Sequence, residues 1–436
     1  MNAPKIVIVG DARTIRQEIQ RYESLDDGRR RFDVLAVMLP AKATIAFPPA
    51  GVAYRDNPES HYLWRWLAMQ APDLVLFTNK QDAGLAAALS QNAVAGLGRI
   101  PARTGNLASI KMPVEPSEAR LERAKRIARK PKLVLEQLLT VYGHDLPEAT
   151  YIPAMALWVR LRTGELPEVE KVLAPYRDGA RNALDKATDS NIGGSFLFAT
   201  LAEQTGDPRY RALALNAADL AALETLHNEM SDSIFMECPL LAASGKLTGD
   251  LKYAEAAVRH WKLIAGYCLR NDNLYRHSPL NETAWGRGNA FAALGLALTL
   301  PNMPLGYSGS DELLRAYLAI CSALARNQDE NGMWREVIDR PGSYSELSAT
   351  AMIGTAMLRG IRAGWLDEHT FAPRVERAWK AVLARTSVDG MLLDVCESTG
   401  KQRSMEDYLQ RAASLGRDDR GGAMVLMFAA EMAGLR

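Results

Sequence analysis

Leu197-Phe198-Ala199-Thr200-Leu201-Ala202-Glu203-Gln204-Thr205-Gly206-Asp207-Pro208-Arg209-Tyr210 holds the end of one helix and the start of the next. Gly206 supplies the left-handed position that follows a helix, Asp207 caps its successor, and Pro208 fits the successor's first turn. The same device recurs at Gly249-Asp250, where Tyr253 stands in the phase that Tyr210 has after Gly206. A spacing of about forty residues is the length of a repeating helix pair. Such pairs stack as an open solenoid or close into a ring. Irregular loops carrying Trp, Arg, His and Asp predict the ring, with a functional mouth. Helical periodicity persists to Leu435.

Toward the N-terminus the texture differs. Ile6–Val9, Val34–Met38, Leu74–Phe77 and Val94–Leu97 read as strands, and Thr14–Tyr22 and Ala83–Leu89 as helices, which predicts a small α/β unit with a largely parallel sheet. Gly10 follows the first strand and invites a nucleotide-binding reading. A dinucleotide fingerprint needs three spaced glycines, however, and a single one serves any strand-to-helix turn. The texture changes from Pro113, so the expected division is 1–112 for the α/β unit and 113–436 for the helical domain. The run Glu118 to Lys132, rich in Arg, Lys and Glu, reads as a solvated helix face leading into the apolar helix Leu133–Tyr142.

A chain of 436 residues exceeds the usual size of one core, and 48% hydrophobic and 24% charged residues with a net charge of +1 describe an ordinary globular protein. That charge gives no field for nucleic acid, and the basic run lacks the interleaved aromatics that would bind it. Cys238, Cys268, Cys321 and Cys396 form no CxxC pair, and His61, His144, His227, His260, His277 and His369 show no HxxxH spacing. Neither a metal nor a cofactor is expected. The first apolar run is too short for a secretory segment and no stretch approaches a membrane span, so the expectation is a cytoplasmic protein without membrane partners.

Four segments carry candidate chemistry. Tyr275-Arg276-His277-Ser278-Pro279 leads to Trp285-Gly286-Arg287-Gly288-Asn289. Two glycines around Arg287 predict an extended stretch in which Trp285, Arg287 and Asn289 share one face, suited to stack on a sugar, hold a carboxylate and read a hydroxyl. The alternative is a helix-entry loop with Trp285 in the core and Arg287 on helix carbonyls. In the second, His227 to Met236, Asp232 precedes an apolar run, and either partial desolvation makes it an acid or it caps a helix. In the third, Gly332 to Thr350, Trp334 and Tyr344 suit the rim of a sugar pocket, although Pro341-Gly342 is also turn chemistry. The last, Met405-Glu406-Asp407-Tyr408, is less specific.

In this order, Ser231–Met236 with Pro239, the Trp-Gly-Arg-Gly-Asn run at 285–289, and Trp334-Arg335 continuing to Ser343–Thr350 resemble the unsaturated glucuronyl and rhamnogalacturonyl hydrolases of glycoside hydrolase families 88 and 105, closer to 105. The resemblance runs from about Leu146 to the C-terminus. It implies an (α/α)6 barrel, so the expected fold is mainly α with a small N-terminal α/β domain. It also implies removal of a 4,5-unsaturated uronic acid, glucuronyl or galacturonyl, from the non-reducing end of lyase-generated oligosaccharides. The enol ether C4=C5 is hydrated and the hemiketal collapses, a reaction centred on one Asp instead of two flanking carboxylates. Carried over, that Asp is Asp232, with Asp189 in Thr188-Asp189-Ser190-Asn191-Ile192-Gly193 as second pocket aspartate. His227 and His277 resemble pocket histidines, Trp285 the stacking residue, and Arg287 the partner of a polar substrate group. Family 105 members commonly place a tryptophan where Phe291 stands. The N-terminal unit has no counterpart in the family pattern and reads as a docking or homo-oligomerisation module, or as a lid over a subsite. A helical toroid that binds sugars without catalysis is the alternative function.

Overall fold

The computed structural model describes residues 3–25, 31–38, 46–55, 57–78, 84–185, 187–224 and 227–435. They form two compact units, one of 1–129 with the short segments 384–387 and 412–416, the other of 130–383, 388–411 and 417–436. Each is built on its own core.

The larger unit is a ring of six inner helices: α6 (Tyr151–Arg162), α8 (Asp189–Thr205), α10 (Ser233–Thr248), α12 (Gly286–Thr299), α14 (Leu347–Arg362) and α17 (Asp419–Met432). Each packs on the next, and α17 closes onto α6. Outside lie α5 (Pro131–Leu139), α7 (Leu166–Arg177), α9 (Pro208–Ala221), α11 (Leu251–Cys268), α13 (Ser308–Arg326) and α15 (Glu368–Arg385), which make this an (α/α)6 barrel. The inner helices are apolar all round, as a doubly covered helix must be. Every residue of α12 is buried. Truncating Phe291 there to Ala would cost about 3–5 kcal/mol. Closure also needs missing side chains: a Cβ on Gly295 would sit 2.7 Å from the Phe235 backbone, and one on Gly354 would sit 2.5 Å from the Phe428 ring.

The repeating device reads as expected. α8 ends at Gly206 with φ 68°, and the Asp207 carboxylate accepts from the Arg209 N–H while Pro208 opens α9. α10 ends at Gly249 with φ 73°, and Asp250 accepts from Lys252 N–H at the head of α11.

The smaller unit holds a parallel sheet in the order β2-β1-β3-β4, with β1 Lys5–Gly10, β2 Asp33–Met38, β3 Leu74–Phe77 and β4 Ala102–Thr104. Helices α1 (Ala12–Glu23), α2 (Pro58–Gln70) and α3 (Leu85–Gln91) connect them, and α4 (Glu118–Ile127) follows. Ala83, the expected start of the third helical stretch, lies outside the described residues. Ile6, Ile8, Ile15, Leu74, Leu76 and Leu107 form its core. One expected strand is corrected. Val94, Ala95 and Leu97 are buried but the segment turns, because Ala95 and Gly96 take φ of 46° and 72°, which no strand accommodates. The fourth strand comes later, at β4. The nucleotide reading also loses its ground: the Asp11 carboxylate accepts from Arg13 and Thr14 N–H, occupying the N-terminus of α1 that a phosphate would need.

No helix among the described residues is long and apolar enough to cross a membrane.

Candidate active site

All six inner helices begin at the same end of the barrel. Gly288, in the first turn of α12, lies against Ser231 and Asp232 before α10. Arg287 beside it reaches Ser348 at the start of α14, and Arg420 in α17 reaches Tyr151 at the start of α6. Each N-terminus carries a partial positive charge from its unpaired N–H groups, so the convergence favours an anion. Beneath it lies an aromatic floor. The Tyr151 ring meets Phe235 at 5.8 Å and Phe291 at 5.5 Å, and these two meet each other at 5.1 Å. The family tryptophan position, occupied by Phe291, is therefore part of this floor.

Asp232 stands at the head of α10 with helical dihedrals of −58° and −32° and makes no side-chain capping bond. The competing cap role is thus absent. Its carboxylate is buried, and Oδ1 has no hydrogen-bond partner. His277 Nε2 faces that oxygen at 3.4 Å. Two backbone links hold the pair together: Ser231 N–H donates to His277 O, and His277 N–H donates to Thr283 O. On the far side of the ring, Nδ1 lies 2.7 Å from the Tyr408 hydroxyl. Burial pushes the Tyr408 phenol well up, so it keeps its proton and can donate it to Nδ1. With Tyr408 as donor, the neutral ring carries its proton on Nε2, the nitrogen that faces Asp232. Trp285 lies beside His277 at 4.4 Å between centroids, with an indole N–H that has no partner.

Asp189 opens α8 and accepts from Asn228 Nδ2 at 3.0 Å. Burial pushes its carboxyl up and the charge of Asp232 pushes the same way, while the Asn228 bond opposes them. Two carboxyls that feel each other across a recess favour a state in which one keeps its proton. His227, near them, accepts from Glu229 N–H and lies 6.2 Å from His260. Behind it, Glu237 and His260 are both wholly buried with 3.2 Å between Oε2 and Nδ1.

The remaining expected site residues lie elsewhere or serve otherwise. Trp285, Arg287 and Asn289 do not share an extended face. Gly286 N–H donates to Glu336 O and starts α12, so residues two apart diverge. The glycines are there for close approach: a Cβ on Gly286 would meet Arg335 O at 2.2 Å. Arg287 lies over Trp285 and is buried on Ser348 Oγ and the carbonyls of Cys396 and Glu397. Asn289 bonds Tyr275 N–H, Tyr275 O and Trp285 O, which fastens the loop carrying His277. Trp334 is fully buried in the barrel core with its indole on Leu324 O. Tyr344 is buried, its carbonyl accepting from Glu336 N–H. Tyr408 was the least specific candidate in the sequence, because nothing local marks a phenol whose partner lies 131 residues away. His260, which reads as an ordinary helix residue, backs the recess, and Tyr151 and Arg420 carry no sequence signal either.

Among the described residues no cluster of His, Cys, Asp and Glu is placed to hold a metal ion.

Comparison with known proteins places these features in a context. The model of Glycosyl Hydrolase Family 88 matches residues 168–435. An unsaturated rhamnogalacturonyl hydrolase, YesR of Bacillus subtilis (strain 168), is 34% identical over 148 residues, covering 32% of this chain and 40% of that protein. An unsaturated 3S-rhamnoglycuronyl hydrolase of Formosa agariphila is 32% identical over 177 residues, covering 36% and 47%. The chain thus spans less than half the length of these curated relatives. Of solved structures, a family 105 glycoside hydrolase of C. acetobutylicum ATCC 824 superposes with a TM-score of 0.61 at 19% identity over 70% of this chain and 99% of that one. The unsaturated glucuronyl hydrolase of Bacillus sp. GL1 gives 0.52 at 19% identity over 71% and 97%. At these identities the structures speak for the fold.

Proposed function

Because the chain belongs to Glycosyl Hydrolase Family 88, we propose that it removes a 4,5-unsaturated uronic acid from the non-reducing end of small lyase-generated oligosaccharides by hydrating the C4=C5 enol ether. The observation that carries this reading is Asp232: a buried carboxylate at a helix head that makes no capping bond and whose Oδ1, without a hydrogen-bond partner among the described residues, faces His277. Protonated, it gives its proton to C4, and positive charge develops at C5 and the ring oxygen. As carboxylate it then takes a proton from the water that adds at C5. The hemiketal opens, the aglycone leaves, and a keto-uronic acid remains.

The neighbours divide the rest of the work. Asp189, its carboxyl pushed up by burial and by the charge of Asp232 against the Asn228 bond, lies beside the reacting acid and lines the recess with it. His277, fixed by Tyr408, orients Asp232 through Nε2–H, and His227 and Trp285 contact the sugar. Arg287, Asn289, Trp334 and Tyr344 act as positioning residues behind this surface. Proton transfer and water suffice for each step, so no cofactor is assigned. The four cysteines are free and buried, the usage of a reducing compartment, and we assign the enzyme to the cytoplasm, acting on imported fragments. We assign residues 1–112 to docking or homo-oligomerisation, which sedimentation of the full chain with and without that segment tests.

The test of function is loss of the ultraviolet absorbance of C4=C5 when lyase products of pectin, glycosaminoglycan and algal polysaccharides are added. Asp232→Asn should abolish that loss and leave the melting temperature in place. Persistence of the signal with every substrate would overturn the proposal. So would full activity of the Asn variant.

A further inference from the structure

Arg287, the arginine that the sequence offers for a substrate carboxylate, is already committed to Ser348 and two carbonyls. Other cations near this end are committed too: Lys401 pairs with Glu229, and Arg411 with Glu397. Arg420 is different. It lies in the first turn of α17, half-buried, and its Nε donates to the Tyr151 hydroxyl at 3.1 Å. Among the described residues no carboxylate pairs with its guanidinium. Asp418 on the same turn is occupied by Gly421 N–H at 2.7 Å, and Asp419 is exposed.

The position of Tyr151 decides where this guanidinium points. Tyr151 belongs to α6, yet its ring touches Phe291 of α12, three places around the ring of six and therefore opposite. A side chain that meets the opposite wall lies on the barrel axis. The guanidinium bonded to its hydroxyl therefore lies beside the aromatic floor. Asp232 stands one turn before Phe235 and Arg287 one turn before Phe291, so the proton donor and Arg420 face the same recess over the same floor.

We infer that Arg420 receives the carboxylate of the unsaturated uronic acid, its two terminal nitrogens forming a fork on that group while Tyr151 holds Nε. The inference rests on the uronyl hydrolase reading above and adds to it the residue that selects an acid over a neutral sugar. A planar fork matches a carboxylate with two parallel hydrogen bonds, and the surrounding helix N-termini add to the attraction. The carboxylate is bonded to C5, next to the carbon that Asp232 protonates, so this anchor also sets the reacting bond against the acid.

The test compares an unsaturated disaccharide with its uronate methyl ester in full-length protein. Arg420→Met should lower kcat/KM on the acid by about 100-fold, mainly through KM, and change the ester by less than about threefold. Arg420→Lys should recover part of the loss, and melting temperatures of both variants should match the parent. Unchanged turnover of the acid, or equal losses on acid and ester, would overturn the inference. If the unaltered protein consumes neither compound, the hydrolase reading has failed, and calorimetry with glucuronic and galacturonic acid against glucose and galactose decides on Arg420 by itself. Binding of the acids that is lost in Arg420→Met supports the anion site. No binding to the unaltered protein sinks it.

Discussion

The Tyr408 hydroxyl stands 2.7 Å from Nδ1 of His277, and the other nitrogen of that ring faces Asp232 at 3.4 Å. Three side chains from distant parts of the chain thus stand in sequence, phenol, imidazole and carboxylate, and a phenol that donates to Nδ1 leaves the ring proton on the side of the carboxylate. Tyr408→Phe leaves the ring free to turn or to change tautomer. We expect kcat to fall about tenfold with KM little changed, and stability to fall by about 1 kcal/mol for the lost buried bond. An unaltered kcat would show that His277 is held by its backbone links alone.

Glu237 and His260 form a buried neutral pair. Burial pushes the carboxyl up to about 8 and the imidazole down to about 4. His260 Nε2–H donates to Ser233 O, so Nδ1 is left to accept a proton from Glu237. An acid raised on folding stabilises fully below its ordinary value of 4.5 and loses that stabilisation as pH climbs to about 8. The opposing effect of His260 ends at its ordinary value of 6.5, so the carboxyl dominates above it. Glu237→Gln keeps a donor for Nδ1 and removes the titration. Its melting temperature should exceed that of the parent at pH 9 and match it near pH 5. Parallel curves would mean that Glu237 ionises normally.

Asn289 makes three bonds to backbone and none outward. Asn289→Ala should therefore destabilise the fold by about 2–4 kcal/mol in urea unfolding. A residue that read a sugar hydroxyl would instead raise KM and leave the unfolding midpoint alone.

Gly288 admits the catalytic loop. A Cβ there would lie 2.5 Å from Ser231 Oγ and 3.4 Å from Asp232 Oδ1. Gly288→Ala should cut kcat by more than about tenfold, because displacing a reacting group by an ångström has effects of that order or larger. Circular dichroism should remain that of the parent. Full activity would show that Ser231 can turn aside without moving Asp232.

The parts of this molecule legible in its sequence are those decided by neighbours along the chain. Gly206-Asp207-Pro208 and Gly249-Asp250 end and start helices with groups that reach only a few residues, and the helix pairs follow from them. Val94–Leu97 reads as a strand because apolar character does not distinguish a buried turn from a buried strand; the left-handed Ala95 and Gly96 decide it. The glycines around Arg287 read as signs of extended chain, whereas they make room for Arg335 and Ser231, contacts between segments that local pattern does not record. Asp232 shows the limit most clearly. Acid and cap look alike in the sequence, and only the backbone dihedrals and the missing capping bond set the cap aside.

The rings of Tyr151, Phe235 and Phe291 plug the tunnel that a circle of helices would otherwise enclose. A polymer cannot be threaded through a blind well, so whatever passes Asp232 has to back out through the opening by which it entered. Only a chain terminus can reach the bottom, and each visit ends before the next can start. Under the proposed function, such a well would take one terminal unit per visit and let the shortened chain go between cuts.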